Sequence, residues 1–430
     1  MKNLMKSRKK MMSSLFYYFV AIFLIGFFFF DLKAAESQPD NFKESILQGK
    51  SLSSLKTRYE FVDQDGKPKN ANALTVQTLL GWETKPLHGI SLGLQLIGVS
   101  PLIDDYNDKK NGVSNPSKVN YPVVVDPEDY NINQAFISYT HQNNHNVKVG
   151  RQPIFLDNWR FVGDVRFRQN IQVMDGITTR IYPQDNIELF LSYVENVRQV
   201  TTKNQKTKIE LANLKYQISP SESLVGYGYF IDWEDDSQKI KSDKTFGARL
   251  NGLRPASEKW NLLYTLEYAD QSSFKGGSSL IDNYYYRVGF GIGQESWSIR
   301  FDQEKLSGNS DGKAFQTNLG TNHLFQGWAD VFLTTPNQGI IDNIIIAKAK
   351  ILGATVKSEF HWIDSDRNFT TDSGSPADNY GHEFDIGIYY PIKKDTKVSI
   401  EYANFSEGDT YSTARKRDIE KIWLTLIYKF

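Results

Sequence analysis

Four arginines crowd one short stretch of the chain. Arg151, Arg160, Arg166 and Arg168 lie between Gly150 and Asn170, against only Asp157 and Asp164. A guanidinium stays charged in water and grips a carboxylate through two parallel hydrogen bonds. Lining a narrow aqueous passage, such a cluster selects anions. The same arginines could instead pair with Asp157, Asp164, Asp175 or nearby carboxylates and only hold their loop in place. A second stretch, Phe315 to Asp330, carries His323, Phe325, Trp328 and Asp330. It could form a folded-in constriction or a surface on which sugars stack. Read from composition, it favours an outer loop that packs on itself around Trp328.

Catalytic chemistry has weaker footing. The histidines are His88, His141, His145, His323, His361 and His382, and cysteine is absent. His141 and His145 are four apart, but in a turn between strands and without an acidic third ligand nearby, so no metal site is expected. No nucleophile elbow, phosphate loop or dinucleotide fingerprint occurs. Carboxylates are abundant, which is not evidence for a glycosidase pair. No enzyme activity and no cofactor are expected.

The elements that must position these residues repeat with a period of two. Ile187, Leu189, Leu191 and Tyr193 alternate with Glu188, Phe190, Ser192 and Val194, and Leu262, Tyr264, Leu266 and Tyr268 alternate with Asn261, Leu263, Thr265 and Glu267. Such runs are strands with one apolar face and one mixed face. About 18 of them follow residue 50, each of roughly 8–12 residues, the length of a tilted membrane strand. Their connections alternate. Short turns at Glu83–His88, His141–His145, Pro183–Asn186, Ser219–Glu222, Arg254–Lys259, Gln294–Glu295, Lys350–Leu352 and Pro391–Asp395 are interleaved with longer polar loops, notably Ser100–Asn131, Pro153–Asn170 and Leu306–Ile341. Tight turns on one side and long loops on the other are the pattern of an outer-membrane barrel. A soluble sandwich has no need for that alternation. A propeller would repeat every 40–50 residues or so, and no such repeat is visible.

Composition agrees. The 430 residues carry 50 Lys+Arg and 50 Asp+Glu, 40% hydrophobic residues and 13% aromatics. Zero net charge excludes a protein that wraps nucleic acid with its whole surface. Residues 1–35 read as a secretory signal: Lys2, Lys6, Arg8, Lys9 and Lys10, then the apolar run Leu15–Phe30, then Ala34-Ala35. No later stretch is long and apolar enough for a membrane helix. In the last strand Ile422, Leu424, Leu426, Tyr428 and Phe430 share one face. This resembles the terminal strand of bacterial outer-membrane proteins, which the barrel insertion machinery reads.

The mixed faces should line the lumen. They carry the basic residues Lys56, Arg58, Lys148, Arg180, Lys215, Arg249, Arg287, Arg300, Lys357, Lys421 and Lys429. The acidic ones are Glu60, Glu83, Glu188, Glu267, Asp302, Glu304, Glu359, Glu383, Asp385 and Glu401. The wall is thus nearly neutral, and any excess of positive charge sits in the loop Gly150–Asn170.

Three segments are similar to the alginate-export family of outer-membrane porins. They are Leu55–Gly66 (LKTRYEFVDQDG) with Ala73–Thr84 (ALTVQTLLGWET); Gly150–Gly163 (GRQPIFLDNWRFVG) with Arg168-Gln-Asn170 and Asp175-Gly176; and Ala314–Phe332 (AFQTNLGTNHLFQGWADVF). They occur in the expected order over most of the mature chain. Two features depart from the family: the eighth turn is only Pro391–Asp395, and Asn318 stands where many relatives have proline. The resemblance implies an 18-stranded monomeric barrel that moves an acidic polysaccharide.

The expectation is therefore all-β: a signal peptide over 1–35, then one transmembrane antiparallel β-barrel over 36–430 in the bacterial outer membrane. It would act as a passive channel for anionic solutes or an exported acidic polysaccharide. Arg58, Lys148, Arg151, Arg160, Arg166, Arg168, Arg180, Arg249, Arg287, Arg300 and Lys357 would line the pore. Asp157, Phe315, His323, Trp328 and Asp330 would belong to a constriction loop. The alternatives are a general nutrient-uptake porin with little selectivity, or a barrel enzyme or adhesin using its outer loops. Expected partners are outer-membrane lipids, the cargo and the insertion machinery.

Overall fold

The computed structural model describes residues 39–141, 144–309, 312–409 and 418–430; the targeting segment expected at 1–35 lies outside them. A short helix α1 (Phe42–Leu47) comes first. Its N-cap, Asn41, accepts a hydrogen bond from the Glu44 N–H at 3.0 Å, which satisfies an otherwise orphan donor. Eighteen barrel strands follow: β1 (Ser54–Gln64), β2 (Ala71–Glu83), β3 (Ile90–Asp105), β4 (Asp129–Thr140), β5 (Asn146–Gln152), β6 (Val173–Gln184), β7 (Ile187–Arg198), β8 (Asn204–Ser219) and β9 (Glu222–Trp233). The second half comprises β10 (Asp243–Pro255), β11 (Asn261–Ser273), β12 (Asp282–Gly293), β13 (Trp297–Ser307), β14 (Gly339–Ile351), β15 (Ala354–Thr370), β16 (Pro376–Pro391), β17 (Thr396–Glu407) and β18 (Ile419–Lys429).

Each strand pairs antiparallel with the next. The sheet closes where β18 pairs with β1, in register from Ile419 opposite Gln64 to Lys429 opposite Ser54. Closure leaves no open edge, which a membrane requires because lipid offers backbone groups no hydrogen-bond partner. The two-residue segment Lys50–Ser51 adds to the turn-side end of β2. Alpha1 docks at that same end: the Lys85 N–H donates to the Ser45 carbonyl at 2.9 Å and Trp82 Nε1 donates to the Ile46 carbonyl at 2.8 Å.

Parity decides what each strand shows to its surroundings. On β1, Lys56, Arg58 and Glu60 are buried inside the barrel while Leu55, Tyr59 and Phe61 alternate with them. On β3, Leu92, Leu94 and Leu96 are exposed on the outside and Ser91 and Gln95 are buried inside. The exposed apolar side chains, among them Leu80, Ile137, Phe290, Phe301, Ile400 and Leu424, form the belt that faces lipid. Aromatic girdles bound it. Trp82, Trp260, Trp297 and Tyr390 lie at the turn-side ends, and Tyr130, Tyr268, Tyr284 and Trp362 lie toward the loop side. Trp260 and Trp297 meet edge-to-face at 5.6 Å. No helix among the described residues is long and apolar enough to cross a membrane, so strands alone do so.

Candidate functional site

Two of the long loops do not stay outside. The β5–β6 loop (residues 153–172) and the described part of the β13–β14 loop (308–309 and 312–338) turn into the lumen and lock together. Val162 and Leu319 form a parallel bridge, the Gly163 N–H donates to the Leu319 carbonyl at 2.9 Å, and the Thr321 N–H donates to the Trp159 carbonyl at 2.9 Å. Glycine is required at this crossing. A Cβ on Gly163 would lie 2.1 Å from Thr321 Oγ1, and one on Gly320 would lie 2.2 Å from the Arg160 carbonyl oxygen. Between loops and wall sits an apolar cluster of Phe161, Phe315 and Tyr285. Phe161 approaches Tyr285 at 5.3 Å and Phe315 at 5.9 Å, both edge-to-face.

Charged anchors tie the pair to the wall. Arg160, fully buried, meets Glu304 of β13 at 2.9 Å and donates to Gln326 of the other loop at 3.0 Å. Arg168 bridges Glu60 of β1 at 2.9 Å and Asp330 at 2.6 Å. Asp330 also takes Lys421 of β18 at 3.0 Å and His323 Nδ1 at 2.7 Å. Burial alone would raise the Asp330 carboxyl, but Lys421, His323 and Arg168 outweigh it and hold the group well below the usual carboxylate range. Burial likewise disfavours the Arg168 charge, yet Glu60, Asp330 and Asp126 lift that guanidinium above its ordinary range. His323 stacks on Phe167 at 3.4 Å, and Phe167 lies 4.1 Å beneath the Arg58 guanidinium. Lys56 donates to the carbonyls of Arg166 at 3.1 Å and Arg168 at 2.7 Å. These lysine-to-carbonyl bonds are invisible in the sequence, because wall and loop are more than a hundred residues apart.

The expected outer loop around Trp328 is corrected here. That segment packs into the wall rather than on itself: Trp328 Nε1 donates to Glu359 at 2.6 Å, and its backbone N–H donates to Asp385 at 3.3 Å. Arg151 is corrected as well. Strand β5 runs on to Gln152, and Lys148 and Gln152 take the inward parity. Arg151 therefore shares the outward parity of the exposed Val149. It is bound to Asp175 at 2.7 and 2.9 Å and does not line the lumen.

The other named residues do reach the interior. Arg58, Lys148, Arg180, Arg249, Arg287, Arg300 and Lys357 have lumen parity, and Arg160, Arg166 and Arg168 sit on the inserted loop. Arg160 and Arg168 are buried anchors. Asp157 accepts from Asn213 at 2.7 Å and lies 3.8 Å from Arg249. Arg166 is the accessible one: its side chain is 49% exposed, against 2% for its partner Asp164. It leans over Phe155 at 4.6 Å.

The same asymmetry recurs along the wall. In the pairs Arg180–Glu188, Arg287–Asp302, Arg300–Asp302 and Lys357–Glu359, the cation is the more exposed partner every time. Two guanidiniums, those of Arg287 and Arg300, share the fully buried Asp302 at 2.7 and 2.6 Å. At these places the cation is the end of the pair nearer water, whereas Arg249–Asp157 and Lys421–Asp330 show no such bias. Above the loops, at the outer mouth, lies a vestibule of about 620 Å³. Its walls include Tyr380, Phe405 and Ile419, and Arg168, Asp330 and Lys421 also line it.

No protein-family model matches the chain, and no curated protein sequence matches it. Solved structures do. OccAB3 of Acinetobacter baumannii superposes with a TM-score of 0.69 at 12% identity, covering 90% of this chain and 100% of that one. OccAB2 of the same organism gives 0.67 at 14% identity, with 90% and 98% covered. OpdQ of Pseudomonas aeruginosa gives 0.66 at 17% identity, with 90% and 98% covered. These are outer-membrane porins. The likeness is one of architecture and does not extend to the alginate-export family in particular. With its apolar belt, girdles and closed antiparallel sheet, the chain is an 18-stranded β-barrel of the bacterial outer membrane.

Proposed function

We propose that the chain is a general uptake porin whose weak selectivity favours small anions. The observation that supports this is the exposure asymmetry of five interior ion pairs, Arg166–Asp164, Arg180–Glu188, Arg287–Asp302, Arg300–Asp302 and Lys357–Glu359, in which the cation is the more exposed partner. Each exposed cation is partly neutralised by its covered partner, so solutes are held weakly at several places, as passage requires. Export of an acidic polysaccharide, which the sequence resemblance implies, fits less well, because two inserted loops occupy the space that a polymer chain would need. No catalytic role is included in this reading. Residues 1–35 are its export signal and one barrel, acting as a monomer, its working unit.

Reversal potentials across a planar bilayer under a KCl gradient test the proposal. A modest chloride preference is expected. A preference for potassium, or no conductance from correctly folded protein, overturns it.

A further inference from the structure

Behind the inserted loop, three wall side chains converge on one point. His361 and Glu359 project from β15 and Asp385 from β16, all buried. His361 Nε2 lies 3.6 Å from Asp385 Oδ2 and 4.0 Å from Glu359 Oε2, and the three ligand atoms all fall within 4.8 Å of one another. Around an ion with metal–ligand bonds of 2.0–2.2 Å, tetrahedral ligand atoms stand about 3.3–3.6 Å apart. Small rotations would therefore complete such a shell.

The histidine is oriented for it. Its Nδ1 is bonded to Asp342 Oδ2 at 2.9 Å, so the Nδ1–H is taken by a carboxylate. That is the arrangement by which metal-ligating histidines are fixed in tautomer and made more basic. Nε2 then faces those two carboxylates and has no hydrogen-bond partner. A lone pair facing two anionic oxygens in a dry place is unfavourable unless a cation stands between them. Lys357 compensates only the far oxygen of Glu359, at 2.9 Å.

We infer that Glu359, His361 and Asp385 bind one divalent transition metal ion of the zinc class. One imidazole with carboxylate oxygens suits such an ion, whereas calcium takes an all-oxygen shell of six to eight ligands. The ion would tie β15 to β16. Glu359 and Asp385 also receive the Trp328 N–H groups, so it would stiffen the seat of the inserted loop.

The test uses the full barrel purified in detergent, stripped with chelator and titrated with Zn²⁺ alone. Calorimetry and elemental analysis read the stoichiometry, and heat-shifted electrophoretic mobility checks folding. The wild type should take one equivalent. His361→Gln and Glu359→Gln should each lose at least roughly a hundredfold in affinity, and Asp342→Asn, which leaves every ligand in place, roughly ten- to a hundredfold. Excess Ca²⁺ should leave the zinc isotherm unchanged. If His361→Gln does not fold, the other two variants carry the test. No uptake by the wild type, equal uptake by the folded variants, or displacement by Ca²⁺ overturns the inference. The first of these outcomes would identify a proton on Nε2 as the cation.

Discussion

Replacing Arg168 by methionine probes the anchor of the inserted loops. The change keeps side-chain bulk but removes a buried cation held between Glu60 at 2.9 Å and Asp330 at 2.6 Å, with Asp126 at 4.0 Å. Breaking a buried ion pair by deleting one partner costs about 3–5 kcal/mol, because the remaining charge is stranded. Asp330 keeps Lys421 at 3.0 Å and His323 at 2.7 Å, so Glu60 is the group left stranded and the lower end applies. About 3 kcal/mol shifts the balance of docked and undocked loop by roughly 150-fold, at about 1.4 kcal/mol per decade. The barrel ladder is untouched, so the protein should still fold. Single-channel recordings should show added flicker or a larger mean conductance. Glu60→Gln in the same chain should restore much of the wild-type trace, since it removes the stranded charge. Traces identical to wild type in the single variant would refute the view that this network holds the loops.

Three further outcomes are expected. Arg166→Gln should reduce chloride preference in reversal-potential measurements, while Arg151→Gln, on the outward parity, should leave it unchanged; the reverse ranking would contradict the strand register. Leu94→Arg puts a cation in the lipid belt and should cost about 2–4 kcal/mol near the midplane, read from denaturant unfolding in vesicles. The depressed carboxyl of Asp330 contributes to loop docking fully above its unfolded pKa of about 4 and loses that contribution only as pH falls through the lower folded value. Channel gating should therefore hold steady from pH 7 down to about 4, and Asp330→Asn should flicker at neutral pH.

The barrel was legible from sequence because its physics is local. Each strand divides its residues between lipid and water, so Ile187 to Val194 announces both faces within eight positions, and tight turns interrupt the chain at every second connection. The interior was not legible to the same degree. Arg160 finds Glu304, and Lys56 finds the backbone of residues 166–168, across distances in sequence that no periodicity spans. The crowding of arginine between Gly150 and Asn170 marks the loop, but not which arginines are covered. Arg151 belongs with the strand rather than with the loop arginines beside it: the strand runs to Gln152, and Lys148 and Gln152 take the inward parity that leaves Arg151 pointing out. His361 stands in the sequence as one histidine among six, because its partners come from strands β14 and β16 and from its own strand rather than from a second histidine nearby.

The closure between β1 and β18 gains meaning from what lies behind it. This is the single place where neighbours in the wall are farthest apart along the chain, and where the first and last strands must find each other. Arg168 reaches Glu60 on one side of the join, and Asp330, which it also holds, reaches Lys421 on the other. Phe167 lies against Arg58 at 4.1 Å and Trp423 at 5.9 Å, again one from each side. The inserted loops thus act as a clasp across the join, fastened from within. The clasp cannot fasten until the final strand has arrived, and the join cannot part without undoing it, so the elements that narrow the passage also guard the wall against unzipping.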